Sequence, residues 1–189
     1  KSMINSKTKA IIPVHIYGQV CDMKEIISIA KKNKIKVIED CSQALGAEYH
    51  KKKIGTFGDI GTFSFYPTKI LGAIGDGGII ITNKGSIAKK LLELRQYGWN
   101  KKRETKYPGL NSRLDELQAA ILNAKIKNVD KDNYKRNKIA SIYKKKIINK
   151  DLLLPNVRKN SRHVFHIFAI LTKKRKLLIE YLKKHKVTP

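Results

Sequence analysis

Three short stretches hold side chains that could do chemistry. Lys69 ends Ser64-Phe65-Tyr66-Pro67-Thr68-Lys69, with an apolar run and a proline before it and a flexible glycine segment after it. A lysine held in a partly dry site gives up its proton more readily, and the free amine can form a Schiff base with a carbonyl compound. Glu39 and Asp40 end the apolar segment that begins at Lys34. Ligands of parallel α/β sheets bind beyond the carboxyl ends of the strands, so a carboxylate at Asp40 can face a site. Gly72 to Gly78 reads Gly-Ala-Ile-Gly-Asp-Gly-Gly, a segment whose backbone can approach a ligand closely. It is neither a Walker A loop, since no Gly-Lys-Ser/Thr follows, nor a Gly-x-Gly-x-x-Gly turn. Plainer readings stand beside these. Lys69 is one of 34 lysines, most of which must be solvated surface charges, and Asp40 could cap the turn from Cys41 to Ala44.

The elements that must position these groups follow from periodicity. Residues 10–17, Ala-Ile-Ile-Pro-Val-His-Ile-Tyr, read as a buried strand ending at Gly18. Asp22 is a helix N-cap with Glu25 three residues on, and Met23, Ile26, Ile27 and Ala30 share one helical face. Residues 34–40 form a second strand, so the unit is strand–helix–strand, with a length suited to a parallel crossover. Short β-like runs follow at 47–50 and 60–65, and residues 77–82 form a further apolar strand. Residues 87–97 make an amphipathic helix, and residues 98–111 a basic loop with a Pro108-Gly109 turn. A long helical pattern starts near Ser112 and runs, with a break, to about Ile148. Residues 164–171 are expected as a strand and 174–185 as a helix. The first residue is Lys1 and the last ones follow directly on a helical pattern, so both ends are expected to be cut from a longer chain.

Composition narrows the function classes. The net charge of +26 would suit a nucleic-acid binder, but 34 of the 41 basic residues are Lys and only 7 are Arg, the better residue for bidentate phosphate and base contacts. No aromatic stacking platform accompanies the charge. Neither nucleic acid nor a membrane is expected as a partner. Cys21 and Cys41 form neither a disulfide framework nor a zinc motif, which favours a reduced, cytoplasmic setting.

Five motifs occur in order: Pro13-Val-His-Ile-Tyr-Gly-Gln19, Glu39-Asp-Cys-Ser-Gln-Ala-Leu-Gly-Ala47, Gly61-Thr-Phe-Ser-Phe-Tyr-Pro-Thr-Lys69, Gly75-Asp-Gly-Gly78 and Gly109-Leu-Asn-Ser-Arg-Leu-Asp-Glu-Leu-Gln-Ala-Ala120. Together they resemble the DegT/DnrJ/EryC1/StrS family of nucleotide-sugar aminotransferases, strongly over residues 10–125 and more weakly over 160–189. The resemblance implies the fold type I, aspartate aminotransferase-like α/β architecture with a mostly parallel sheet. Residues 1–125 would be the C-terminal part of a large domain that binds pyridoxal 5'-phosphate (PLP), 126–150 a connecting helix, and 151–189 the start of a small α+β domain.

The same resemblance assigns roles. Lys69 matches the lysine that forms the Schiff base with PLP and moves the proton. Asp40 matches the carboxylate that pairs with the pyridine nitrogen, keeping it protonated so that the ring can draw electrons. Gln43 matches a residue near the phenolic oxygen, Ser64 a phosphate-binding hydroxyl, and Asn111 an asparagine that reaches the phosphate of a neighbouring subunit. A homodimer with shared active sites is therefore implied. His15, His163 and Tyr66 are set outside the catalytic group. The expected reaction moves an amino group from an amino acid, glutamate by resemblance, to a nucleotide-linked keto sugar, with C3 of a dTDP-3-keto-6-deoxyhexose the finer expectation. Lysine rather than histidine at position 69 favours amino transfer over dehydration. Ile70 and Leu45 depart from the residues usual in relatives. A non-catalytic protein of the same fold, acting as a regulator or interaction partner, is the alternative.

Overall fold

The computed structural model of the chain describes residues 2–189. The first unit is the expected strand–helix–strand. β1 (Ala10–Ile11) pairs in parallel with β2 (Lys36–Asp40), Ala10 opposite Lys36, and α1 (Met23–Lys32) connects them. Asp22 starts α1 by accepting the Glu25 N–H on its Oδ1 at 3.3 Å. Met23 and Ala30 are buried beneath the sheet, with Ile26 and Ile27 packed beside them. The strand expected over 10–17 is shorter. Pro13 has no N–H for a ladder bond, so pairing stops at Ile11 and resumes only as a single bridge between Val14 and Asp40. Residues 16–18 then turn in a 3-10 arc with Tyr17 and Gly18 at positive φ.

β5 (Ile60–Ser64) lies parallel to β2 with Asp40 opposite Thr62, and β6 (Gly78–Ile81) lies antiparallel to β5 with Ser64 opposite Gly78. The main sheet therefore runs β1-β2-β5-β6. A smaller antiparallel sheet joins β4 (Lys52–Lys53), β3 (Glu48–Tyr49) and β7 (Ser161–Arg162), tying the C-terminal part of the chain to the first half. The remaining helices are α2 (Gly85–Leu94), α3 (Glu116–Ile126), α4 (Val129–Lys146) and α5 (Arg175–Lys184). The long helical pattern breaks at 127–128, between α3 and α4.

Residues 164–171 do not form the expected strand. His163 Nδ1 takes the Phe165 N–H at 2.8 Å, and Phe165 sits at φ 44°, so the extended run is broken at its start. Val164 and Phe165 are instead buried against Gly18. Gly18 has φ +96°, and a Cβ there would stand 2.8 Å from Val164 Cγ2 and 3.0 Å from the Phe165 nitrogen. Only glycine permits both the conformation and the approach.

One apolar core sits between α1 and the β2 side of the sheet, from Val20 and Met23 to Val164. A second gathers Phe65, Leu71, Ala73 and Leu122 under α3. Among the described residues no helix is long and apolar enough to cross a membrane.

Candidate active site

Parallel pairing sends β2 and β5 out of the same edge of the sheet, and four of the five expected site residues are carried there. Asp40 is the last residue of β2. Its Oδ1 accepts the Ser42 N–H at 3.0 Å, an Asx turn that reverses the chain and leaves Oδ2 without a partner among the described residues. Gln43 follows in that turn; its Oε1 accepts the Tyr17 N–H at 2.8 Å, and its amide NH2 has no partner among the described residues. Ser64 ends β5, half-buried, with Oγ accepting the Tyr66 N–H at 3.3 Å. Lys69 lies in the turn after β5, its N–H bonded to the Tyr66 carbonyl at 2.9 Å. Its side chain is half-buried and has no ion-pair partner among the described residues. Asn111 is not brought to this group. It is exposed, bridged to Gln96, and its Oδ1 accepts from Arg113 Nε at 3.0 Å.

The turn that carries Lys69 is tightly closed. A Cβ on Gly72 would stand 2.3 Å from the Pro67 carbonyl oxygen, so glycine is needed for the backbone to fold back on itself. Helix α3 clamps the far side. Lys125 Nζ donates to the Gly72 carbonyl, and Gln118 Oε1 accepts the Ile74 N–H at 3.0 Å. The glycine segment is thus a held loop rather than a free one.

Glu39, next to Asp40, has a different part. It is fully buried and accepts four hydrogen bonds: Gly55 N–H at 2.8 Å and His15 Nε2 at 3.2 Å on Oε2, Phe57 N–H and Gly58 N–H at 2.7 Å each on Oε1. Burial opposes the charge, but the bonds from His15 and from the three N–H groups outweigh it and hold the carboxyl below its usual range. Burial lowers the His15 pKa, yet contacts with Cys21 and Glu39 lift it to about 8. The Cys21 N–H directed at Nδ1 opposes that charge, so the neutral Nε2–H form is the one in which every hydrogen bond is satisfied. Cys41 completes a close trio with His15 and Glu39. Burial pushes its thiol pKa up, and the Glu39 oxygens are already committed, so the trio is a strut under the Asp40 turn rather than a metal centre.

His163 is likewise structural. Burial, with the Lys144 charge, lowers its pKa to about 4, its Nδ1 holds the Phe165 N–H, and its ring stacks on Phe165 at 4.0 Å. A concavity of about 640 Å³ between α1 and Tyr49 contains none of the five expected residues. Periodicity and motif spacing give no signal for Glu39's four-bond role or for the α3 clamp, because both depend on which segments the fold brings together.

The model of the DegT/DnrJ/EryC1/StrS aminotransferase family matches residues 1–189. The chain belongs to that family. A dTDP-3-amino-3,6-dideoxy-alpha-D-galactopyranose transaminase of Aneurinibacillus thermoaerophilus is 50% identical over 184 residues, which cover 97% of this chain and 51% of that protein. Among solved structures, DesV of S. venezuelae superposes with a TM-score of 0.94 at 35% identity, covering 97% of this chain and 50% of DesV. NtdA of Bacillus subtilis, solved with bound cofactor PMP, superposes with a TM-score of 0.88 at 33% identity, covering 97% of this chain and 43% of NtdA. The chain thus spans about half the length of the relatives it matches, and its fold is that of the corresponding part of these aminotransferases.

Proposed function

We propose that the protein to which this chain belongs is a PLP-dependent aminotransferase that converts a nucleotide-linked keto sugar into the amino sugar. The observation that carries this reading is the placement of Asp40 and Lys69 at the carboxyl edge of two neighbouring parallel strands, with Ser64 and Gln43 beside them. The groups present fit PLP chemically: among the described residues, an amine without a counter-ion, a carboxylate with one oxygen unbonded, a hydroxyl, and an amide NH2 left over after its oxygen is bonded. When bound, PLP supplies an electron-withdrawing ring that stabilises the carbanion left by loss of the donor's α-proton.

The chain's own residues supply the rest. Lys69 holds the cofactor and then carries the proton between donor carbon and cofactor. Asp40 keeps the ring nitrogen protonated. Ser64 binds phosphate, and Gln43 orients the ring through its amide. Asn111, exposed and bonded to Arg113 rather than to any of the other four, is assigned to the phosphate of a second copy, so the working unit is a homodimer with shared sites. The 50% identity to a dTDP-sugar transaminase supports a dTDP-linked 3-keto-6-deoxyhexose as substrate, and glutamate is taken as the donor. Residues 1–125 act as part of the cofactor-binding domain, 126–150 as the connecting helix and 151–189 as the start of the small domain, in a cytoplasmic enzyme feeding glycan assembly.

Borohydride reduction in the presence of PLP, followed by peptide mass spectrometry, tests the cofactor assignment. A phosphopyridoxyl group on Lys69 alone is expected. Labelling scattered over many lysines, or none on a folded full-length protein, would remove the mechanism.

A further inference from the structure

The turn that carries Asp40 is tied to one short loop. The Asp40 N–H bonds to the Pro13 carbonyl at 2.9 Å, and the Asp40 carbonyl accepts the His15 N–H at 3.0 Å. Three residues past Asp40, Gln43 Oε1 accepts the Tyr17 N–H at 2.8 Å. The Tyr17 N–H has no other acceptor among the described residues.

Tyr17 stands at φ 58° and ψ 6°, in the left-handed region that a residue with a side chain seldom occupies. Tyr17 is 40% exposed, so main-chain bonds rather than packing of the ring keep it there. The Gly18 N–H bonds to the His15 carbonyl at 3.3 Å and the Gln19 N–H to the Ile16 carbonyl at 3.0 Å. On the other side the Ile167 N–H approaches the Tyr17 carbonyl at 3.4 Å. Sparsely populated backbone conformations gather where a site needs a group held in place, and the group held here is an N–H.

An amide has one accepting end and one donating end. Turning the Gln43 amide over would set its NH2 against the Tyr17 N–H, donor against donor. The Tyr17 N–H therefore selects one of the two orientations and leaves the NH2 as the end available to a ligand. We infer that Tyr17 is a positioning residue: its main-chain N–H orients the Gln43 amide to donate to the cofactor's phenolic oxygen, and so sets how tightly the Schiff-base nitrogen at Lys69 holds its proton. The inference rests on the aminotransferase reading and deepens it, since Gln43 is the residue assigned there to the ring. A donor on the phenolic oxygen draws off the negative charge that favours a protonated nitrogen beside it, so the nitrogen gives up its proton at lower pH.

The test uses the full-length, PLP-loaded protein. The cofactor's absorbance is titrated against pH, which reads the Schiff-base proton without turnover. Tyr17 is replaced by the hydroxy acid with the same side chain, so that an ester oxygen stands where the N–H was. The titration midpoint should rise by about one unit, the worth of a hydrogen bond to a charged group. Gln43→Ala should raise it by as much or more. The ester also weakens the Ile16 carbonyl, which accepts the Gln19 N–H, so it is repeated in Gln43→Ala. There it should add less than about 0.3 unit, because both changes break the same contact. A second readout needs no cofactor: hydrogen exchange at the Tyr17 N–H should quicken at least about tenfold in Gln43→Ala. An unchanged midpoint in the ester, an equal rise in the Gln43→Ala background, or unchanged exchange overturns the inference and leaves the cofactor assignment standing. If the unaltered protein forms no Schiff base at Lys69, the aminotransferase reading falls and the inference with it.

Discussion

Replacing Glu39 with Gln should be among the most damaging changes of one atom type in this chain. Glu39 is fully buried and both oxygens are used, Oε1 by Phe57 and Gly58 and Oε2 by Gly55 and His15. The glutamine amide has one oxygen and one NH2. Whichever way it is turned, the NH2 faces two donors, so one pair of buried N–H groups loses its acceptor. Each buried group left unpaired costs about 1–3 kcal/mol, and the remaining bonds lose their charge assistance. Some relaxation of the 55–58 turn offsets part of this, and a net loss of about 2–4 kcal/mol is expected. Glu48→Gln is the control, since Glu48 is 24% exposed and pairs with Lys53 and Arg162 at the surface. Its cost should stay below about 1 kcal/mol.

Chemical denaturation of the three proteins at neutral pH measures both values. The pH dependence gives a second check. Hydrogen bonds hold the folded Glu39 below its usual value of 4.5, so its contribution is fully present above that value. It is lost as pH falls through the lower, folded pKa, and the gap between the unaltered protein and Glu39→Gln should narrow there. A neutral-pH loss no larger than that of Glu48→Gln would refute the account of Glu39 as a saturated buried acceptor.

Two further changes probe how the site is held. Gly18→Ala places a methyl 2.8 Å from Val164 Cγ2 at φ +96°; the left-handed backbone alone costs about 1–2 kcal/mol, and thermal unfolding should show at least that loss. Gln118→Ala removes the acceptor of the Ile74 N–H and should cost about 1 kcal/mol, with faster hydrogen exchange at Ile74 while the β5 amides are unchanged.

The parts of the fold that were legible in the sequence are those where local pattern and tertiary need agree. Asp22 and Glu25 marked the start of α1 because the cap is a contact within one turn. Asp40 could be placed at a strand's carboxyl end because Val37 and Ile38 mark an apolar run just before it, and Lys36–Asp40 does pair on both sides, although Glu39 is buried with them. The strand expected over 164–171 failed for the opposite reason. Its apolar run reads as extended, but its first residues are spent on a long-range contact, with Val164 and Phe165 pressed against Gly18 and the Phe165 N–H captured by His163. Tertiary packing overrode propensity there.

The same contact lies outside what spacing can show. Lys69, Asp40, Gln43 and Ser64 sit in motifs whose residues are near one another in the chain. The segment from Val164 to Ile167 reaches the loop of Tyr17 and Gln43 only because Gly18 lets it approach: the Val164 N–H bonds to the Gly18 carbonyl at 3.2 Å, and Gln43 Oε1 accepts the Tyr17 N–H at 2.8 Å. A single glycine without a side chain is thus the feature on which that meeting depends. Its signature in the sequence is one letter after a tyrosine, which reads as an ordinary strand terminator until the partner segment is known.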